Sequence, residues 1–166
     1  MTGPARSRVE RAIRGHACAM HKLLTAVAVF ATAGVLLVSP ASAGDNGPLR
    51  LGAHMTGARE VPGPGDPDGR GRAQMKVNVA EELFCYQLDL IGLSEVVGGH
   101  IHIGQVEESG PIVIDLQLPE NGLDGCVHAG RATLVNIARN PQGFYINIHT
   151  TEFPNGAIRD QLTQRS

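Results

Sequence analysis

A two-residue alternation of apolar and polar side chains recurs along this chain in short segments, and it constrains the fold more than any other feature. It is clearest over residues 73–79, 84–90 and 144–149. Alternation with this period places the apolar side chains on one face of a β-strand and the polar ones on the other. Turns rich in Gly, Pro, Asn and Asp separate these segments, as in residues 63–69 and 154–156.

Helical patterns are scarce in the same region. After residue 43 there is no helical period of about ten residues or more with capping residues, and residues 132–137 fit either a further strand or a short helical turn. Strands at such close spacing are typical of antiparallel sandwiches and barrels. We therefore expect an all-β domain, an antiparallel sandwich or barrel of about seven or eight short strands with Greek-key-like connections.

The N-terminal segment has the pattern of an export signal. A basic start, which ends with Lys22, precedes residues 23–38, an uncharged apolar run of sixteen residues that is short for a membrane-spanning helix. Residues 39–43, SPASA, end in an Ala-x-Ala cleavage motif, which predicts removal of residues 1–43 as a signal peptide. Translation from Met20 would give a more compact signal. The mature chain, residues 44–166, then has the length of one domain and no transmembrane segment.

The charge of the predicted mature chain argues against nucleic acid as a partner. Residues 44–166 contain nine Lys and Arg against fifteen Asp and Glu, a net charge of about −6. They contain no cluster of basic residues interleaved with aromatic ones and no motif of a nucleic-acid-binding module. We expect a secreted protein, extracellular or periplasmic, whose partner is another protein or a component of the cell envelope.

Two cysteines remain after the predicted cleavage, Cys85 and Cys126. An even count in a chain exported to an oxidising compartment favours a disulfide, which would close a loop of about forty residues. The alternative is a pair of unrelated buried thiols, since their spacing is not that of a close-range motif.

The segment GGHIHIG, residues 98–104, carries two histidines in an apolar frame. In a strand, Ile101 and Ile103 point to one face while His100 and His102 point to the other. The isoleucine face is then a core face, and the two imidazoles share the opposite one.

The same alternation places Tyr145, Asn147 and His149 on one face of a second strand. If the two strands are neighbours, the imidazoles of His100, His102 and His149 converge. Three neutral imidazole nitrogens with an open fourth position form a workable Zn²⁺ or Cu²⁺ site. The alternative is a polar patch or a hydrogen-bonding layer that holds loop carbonyls, in which Tyr145 and Asn147 take part without metal.

Motifs of common enzyme classes are absent from the chain. There is no Gly-x-Ser-x-Gly nucleophile motif and no phosphate-binding loop of the P-loop or dinucleotide type. We assign no catalytic residue and favour a protein that is not an enzyme.

Four segments taken in order, LGAHMTGAREVP, GLSEVVGGHIHIG, GPIVIDL and NPQGFYINIHTTEFPNGAIRDQL, resemble the CHRD domain. This module is repeated in chordin and occurs singly in many exported bacterial proteins. The resemblance covers roughly residues 49–162. It implies a secreted or surface-exposed all-β module without an established enzymatic activity or cofactor.

Two further expectations follow from the segments shared with this family. Glu60 and Arg159 both belong to them, and each would otherwise be a stray charge near a strand end, so we expect them to form an ion pair. The family usually ends in Ile-Arg-Gly-Gln-Leu. In this chain the glycine of that ending is replaced by Asp160. If Ile158 and Leu162 face the core, alternation turns Asp160 inward, where its carboxylate needs a donor unless the chain bulges.

The sequence thus supports two hypotheses of different classes. The first is a secreted or envelope CHRD module that acts by binding or as a structural component. The second is a Zn²⁺- or Cu²⁺-binding protein with weak redox or hydrolytic activity, whose ligands are His100, His102 and His149. GGHIHIG also resembles the Gly-x-His-x-His stretch of Cu/Zn superoxide dismutase, but the remaining histidines do not supply the further ligands of a dinuclear centre.

Overall fold

The computed structural model describes residues 47–118 and 120–166. The predicted signal peptide, residues 1–43, lies outside the described residues. The β-strands are β1 (Leu49–Thr56), β2 (Arg70–Asn78), β3 (Leu83–Ile91), β4 (Val96–Ile103), β5 (Ile112–Asp115), β6 (Asp124–His128), β7 (Phe144–Thr150), β8 (Ile158–Gln161) and β9 (Thr163–Gln164). One α-helix, α1 (Arg131–Arg139), and two 3₁₀ turns, Gly57–Arg59 and Pro141–Gly143, complete the described elements.

The strands form one antiparallel sheet that curls into a nearly closed barrel. Their order is β5-β4-β7-β8-β1-β2-β3-β6, and β9 adds to β1. The predicted all-β class and antiparallel pairing are confirmed. Consecutive strands β3 and β4 lie far apart in the sheet, whereas β4 and β7 are neighbours, so the chain crosses the barrel as expected for Greek-key-like connections.

The core lies inside the curled sheet and is mainly aliphatic. The alternating apolar residues of β1, β2, β3 and β7 point into it, together with Ile101 of β4; among them are Leu51, Met75 and Phe84 from one half and Ile101 and Ile146 from the other. All five are at most 2 % exposed. Ile103, which the alternation also assigned to the core face, is 45 % exposed at the end of β4. Burial on this scale is what stabilises a single domain of this length.

The segment that fitted either a strand or a helical turn is the helix α1. It spans nine residues and places Leu134 and Ile137, one turn apart, against the core. Its N-cap residue is Gly130, which makes no side-chain capping hydrogen bond. A helix this short, without a capping motif, gives too weak a periodic signal to be separated from a strand by pattern alone.

The predicted disulfide is present. Cys85 on β3 and Cys126 on β6 occupy directly opposed positions of the two strands and are bonded to each other. Because β6 pairs only with β3 at the end of the sheet, the disulfide fastens an edge strand.

Asp160 follows the expectation that its carboxylate finds donors. Ile158 and Leu162 are fully buried, and the Asp160 side chain is 11 % exposed. Its carboxylate accepts hydrogen bonds from the backbone N–H groups of His54 and Gln161, both at 2.8 Å, and forms an ion pair with Arg59. The inward charge is therefore compensated where β8 meets β1.

Candidate metal centre

β4 and β7 are hydrogen-bonded neighbours, which confirms the adjacency on which the histidine prediction depends. His100 lies opposite Asn147 and His102 lies opposite Tyr145. A register shift between Val96 and Gly98 sets His149 opposite Gly98. A Cβ at Gly98 would lie 3.5–3.9 Å from ring atoms of His100 and His149, so both rings lie over this position. The local sequence therefore brings three imidazoles together on the outer face of the pair.

The three rings form one compact group. Their centroids are 4.9 Å apart for His100 and His149, 5.8 Å for His100 and His102, and 6.5 Å for His102 and His149. One nitrogen from each ring lies within 4.8 Å of the others. His102 is buried, and the other two are half-buried.

Hydrogen bonds at the back of the rings fix which nitrogens face each other. The Nδ1 atoms of His102 and His149 lie 2.8 Å and 3.0 Å from the carbonyl oxygens of Gly110 and Pro154. A carbonyl only accepts, so each Nδ1 carries the proton and each Nε2 keeps its lone pair. Metal-binding histidines are commonly held in this way through the ring nitrogen that does not bind the metal.

Within the described part of the chain, the ring of His100 has no hydrogen bond of this kind. Its Nε2 lies 3.9 Å from an oxygen of Asp115, which is beyond hydrogen-bond distance. The Nδ1 of His100 and the Nε2 atoms of His102 and His149 are buried and have no hydrogen-bond partner among the described residues. Buried polar atoms without a partner are costly and rare, so three together need an explanation.

The electrostatics of the group favour neutral rings. Burial is the largest cause that lowers the pKa of each of the three histidines below its usual range. For His100 the next cause is the proximity of His149, and the carboxylate of Asp115 opposes the shift. For His102 and His149 the hydrogen bonds to Gly110 and Pro154 oppose it. Neutral imidazole is the form that binds metal ions.

The spacing fits a metal ion after a small inward movement. Ligand nitrogens at 2.0–2.1 Å from a tetrahedral Zn²⁺ are roughly 3.4 Å apart, so a separation of 4.8 Å must close by somewhat over 1 Å. Rotation of the half-buried His100 and His149 rings supplies movement of this size. His102 is held in place, because it stacks on Tyr145 with ring centroids 4.8 Å apart and planes 7° from parallel.

A loop, residues 104–111, covers one side of the group and is held by a buried arginine. The guanidinium of Arg159 donates hydrogen bonds to the carbonyls of Gln105, Val106 and Glu108, at 2.9–3.2 Å. It also lies 3.8 Å from the centroid of the Tyr145 ring, a cation–π contact. The Arg159 side chain is 1 % exposed, although it carries a permanent charge.

The predicted ion pair between Glu60 and Arg159 is not formed as a contact. Among the described residues, Arg59–Asp160 is the close pair of an arginine and a carboxylate. The remaining close pair, His100–Asp115, joins a carboxylate to a ring that its surroundings keep neutral. The prediction matched charge with charge and overlooked backbone carbonyls, which satisfy the Arg159 guanidinium instead. Arg159 still acts on Glu60 at longer range, because its charge opposes the rise in the Glu60 pKa.

Glu60 is buried beside Asn147. Its Oε2 accepts a hydrogen bond of 3.3 Å from Asn147 Nδ2, and burial raises the pKa of Glu60 to about 7. Its Oε1 and the Oδ1 of Asn147 have no partner. A Cβ at Gly156 would overlap the Glu60 carboxylate, so the glycine leaves room for this buried acid.

The family model of the CHRD domain matches residues 51–162. This chain belongs to the CHRD family. No curated protein and no solved structure matches it. None of the helices in the described part of the CHRD chain is long and apolar enough to span a membrane.

Sequence reasoning missed several parts of the site in this CHRD domain. The carbonyls of Gly110 and Pro154 hold two of the histidines, and Asp115 lies near the third, but Asp115 belongs to another strand and any residue offers a carbonyl. The alternation of β5 gave no signal for Asp115. The usable signal was Gly98, where a strand lacks a side chain beside two rings.

Each remaining histidine of the described residues stands apart from the group. His54 and His128 are exposed on β1 and β6, and the described residues form one group of three candidate ligands. They therefore offer no second cluster for a dinuclear centre of the superoxide dismutase kind.

Proposed function

We propose that this CHRD domain binds one transition-metal ion through His100, His102 and His149. The observation that carries the proposal is that three buried imidazole nitrogens face one another without any hydrogen-bond partner. Each lone pair repels the others, so the arrangement costs free energy unless a cation or a donor sits between them.

A purely structural polar layer explains the group less well. Such a layer would use the inner nitrogens to hold neighbouring backbone or side-chain groups. Here the nitrogens at the back of His102 and His149 already bind carbonyls, and the inner nitrogens are the ones left over. This division between held and free nitrogens is the pattern of metal-ligating histidines.

The donor set favours Zn²⁺ or Cu²⁺. Three imidazoles without a thiolate suit these borderline ions better than Mg²⁺ or Ca²⁺, which prefer oxygen ligands. Three protein ligands leave a fourth position for water or another small ligand. Beside the group, His100 and Asp115 line a cavity of about 390 Å³, through which such a ligand can reach the ring of His100.

The setting we propose is outside the cytoplasm. The apolar run of residues 23–38, the Ala-x-Ala motif that ends at Ala43 and the disulfide Cys85–Cys126 all support export with removal of residues 1–43. The domain would then act as a secreted or envelope-associated binding module, consistent with its family.

The test is metal stoichiometry and affinity in the protein purified from an exporting host and stripped with a chelator. We expect one Zn²⁺ or Cu²⁺ per chain by mass spectrometry of metals and by calorimetric titration. His102→Ala removes a direct ligand, so it should weaken binding by more than the roughly 10–100-fold that loss of an outer-shell partner costs, or abolish it.

His128→Ala is the matched control, because that histidine is exposed on β6 and outside the group. It should leave affinity unchanged. Binding that is absent, or equally sensitive to both substitutions, would refute the proposal. Melting temperatures of the stripped variants separate lost ligands from lost folding.

A further inference from the structure

A second feature of the molecule lies on the opposite half of the sheet, on its outer face. Arg50, Lys76, Cys85 and Cys126 form a single row across β1, β2, β3 and β6, each opposite the next in register. Residues opposed in this way on one face have Cβ atoms about 5 Å apart. The disulfide thus continues a row that begins with two cations.

The row lies in a groove. A cavity of about 670 Å³ is lined by Arg50, Lys76, both cysteines and Arg165. A volume of this size accommodates a small organic molecule. The disulfide therefore lines a cavity of ligand size and is not a crosslink buried in the core.

The three cations of the groove are not neutralised by the protein. None of them makes a close ion pair with a described carboxylate, and Arg165 Nη1 donates to the amide oxygen of Gln74 at 3.1 Å. Asp124 lines the groove one row further along, opposite Gln87, and the last residue of the sequence, Ser166, lines it as well. In a domain with a net negative charge, this is a local positive field that attracts anions.

The two sulfur atoms differ in their surroundings. Cys85 is half-buried and lies between Lys76 and Cys126, whereas Cys126 is exposed on the edge strand β6. A molecule whose anionic group binds Lys76 is therefore placed beside Cys85, on the side away from Cys126. Cys126, as a leaving thiolate, is hydrated at the edge of the sheet.

We propose that the Cys85–Cys126 disulfide is a thiol-exchange site that takes small acidic thiols from this groove. The thiolate of the incoming molecule attacks Cys85 Sγ and forms a new S–S bond to it, while the bond to Cys126 breaks and its electron pair leaves on Cys126 Sγ. That thiolate then takes a proton from water or attacks the mixed disulfide and restores the original bond. Carboxylates of the bound thiol are held by Arg50, Lys76 and Arg165.

This site is independent of the histidine group. The disulfide lies on β3 and β6, whereas the histidines lie on β4 and β7 at the other half of the sheet order. Failure of either proposal leaves the other standing.

The experiment compares two small thiols of opposite charge, glutathione and cysteamine, on the folded, metal-free full chain. Each rate of mixed-disulfide formation is measured by intact mass after acid quench, and is divided by the rate of the same thiol with hydroxyethyl disulfide. We expect the normalised rate to be about tenfold higher for glutathione at low ionic strength and to converge in high salt. Peptide mapping should place glutathione on Cys85 and the free thiol on Cys126.

Two variants locate the effect. Lys76→Gln combined with Arg50→Gln should reduce the preference for glutathione to about twofold or less. Arg139→Gln removes an exposed charge on α1, away from the groove, and should leave it unchanged. Equal normalised rates for the two thiols, an adduct confined to Cys126, or reaction only after unfolding would each overturn the proposal. Circular dichroism before the reaction establishes that every variant is folded.

Discussion

The outer face of β4 and β7 and the outer face of β1, β2, β3 and β6 lie over the same core but differ in how they are covered. The first is overlaid at His102 and Tyr145 by residues 104–111, which the buried Arg159 holds in place. The second is open, and its cations are exposed. Strand alternation alone sets which side chains point outward. The loops above a face decide whether those side chains meet water or one another.

The largest expected effect on stability comes from removing Arg159, which holds residues 104–111, the cover of the histidine face. Arg159→Leu leaves three loop carbonyls without their donor and removes the cation–π contact with Tyr145. We expect a loss of about 3–5 kcal/mol in the free energy of unfolding, measured by urea denaturation.

Arg72→Leu is the comparison on the open face, since Arg72 is exposed on β2. A surface change of this kind should shift the free energy of unfolding by less than about 0.5 kcal/mol. Similar losses in the two variants would mean that the cover contributes no more than an ordinary surface charge.

An intermediate effect on the free energy of unfolding is expected from removing the disulfide on the open face. Replacing both Cys85 and Cys126 by Ala removes a crosslink between residues 41 positions apart. In the chain-entropy description this destabilises the protein by about 2–4 kcal/mol. Urea denaturation of the double variant measures it, and metal affinity should be unchanged, because the histidine face does not depend on β6. A loss of metal binding here would show that the two faces are coupled.

The smallest expected effect is a dependence of the free energy of unfolding on pH. The folded-state pKa of Glu60 is raised from 4.5 to about 7, so this group stabilises the fold fully below pH 4.5 and its contribution is lost as the pH rises through 7. The histidines have the opposite sign: their lowered pKa values give stability that is present above the usual histidine pKa and lost as the pH falls.

Glu60→Gln isolates the first contribution. Between pH 4.5 and pH 7.5 the stability of the unmodified protein relative to this variant should fall by about 2–3 kcal/mol. Unfolding is followed in urea with a chelator present, so that the histidine contribution is common to both proteins. A difference that does not change with pH would show that Glu60 is ionised throughout this range.

The strands and the histidine group could be predicted from the alternation of apolar and polar residues along the chain. The core faces of Ile101 and Ile146, the strand class and the convergence of the three histidines all depend on a period of two, which the backbone imposes. The disulfide followed from the number of cysteines and the expected compartment. None of these predictions depends on the conformation of a loop.

The cover could not be predicted in the same way. Arg159 binds carbonyls of residues 105–108, and carbonyls carry no side-chain signature that a sequence could reveal. The register shift beside Val97 and the position of Asp115 depend on how loops of particular length close. Pairing Glu60 with Arg159 by charge alone therefore missed the carbonyls that the buried guanidinium binds.

The candidate ligands come from two strands, with His149 far along the chain from His100 and His102, and they meet only when β7 has paired with β4. A chain threaded through a membrane in extended form holds none of this geometry. On the export route proposed above, the domain would acquire its ion after crossing the membrane. The ions available in the compartment of folding, rather than cytoplasmic supply, would then decide which metal is incorporated.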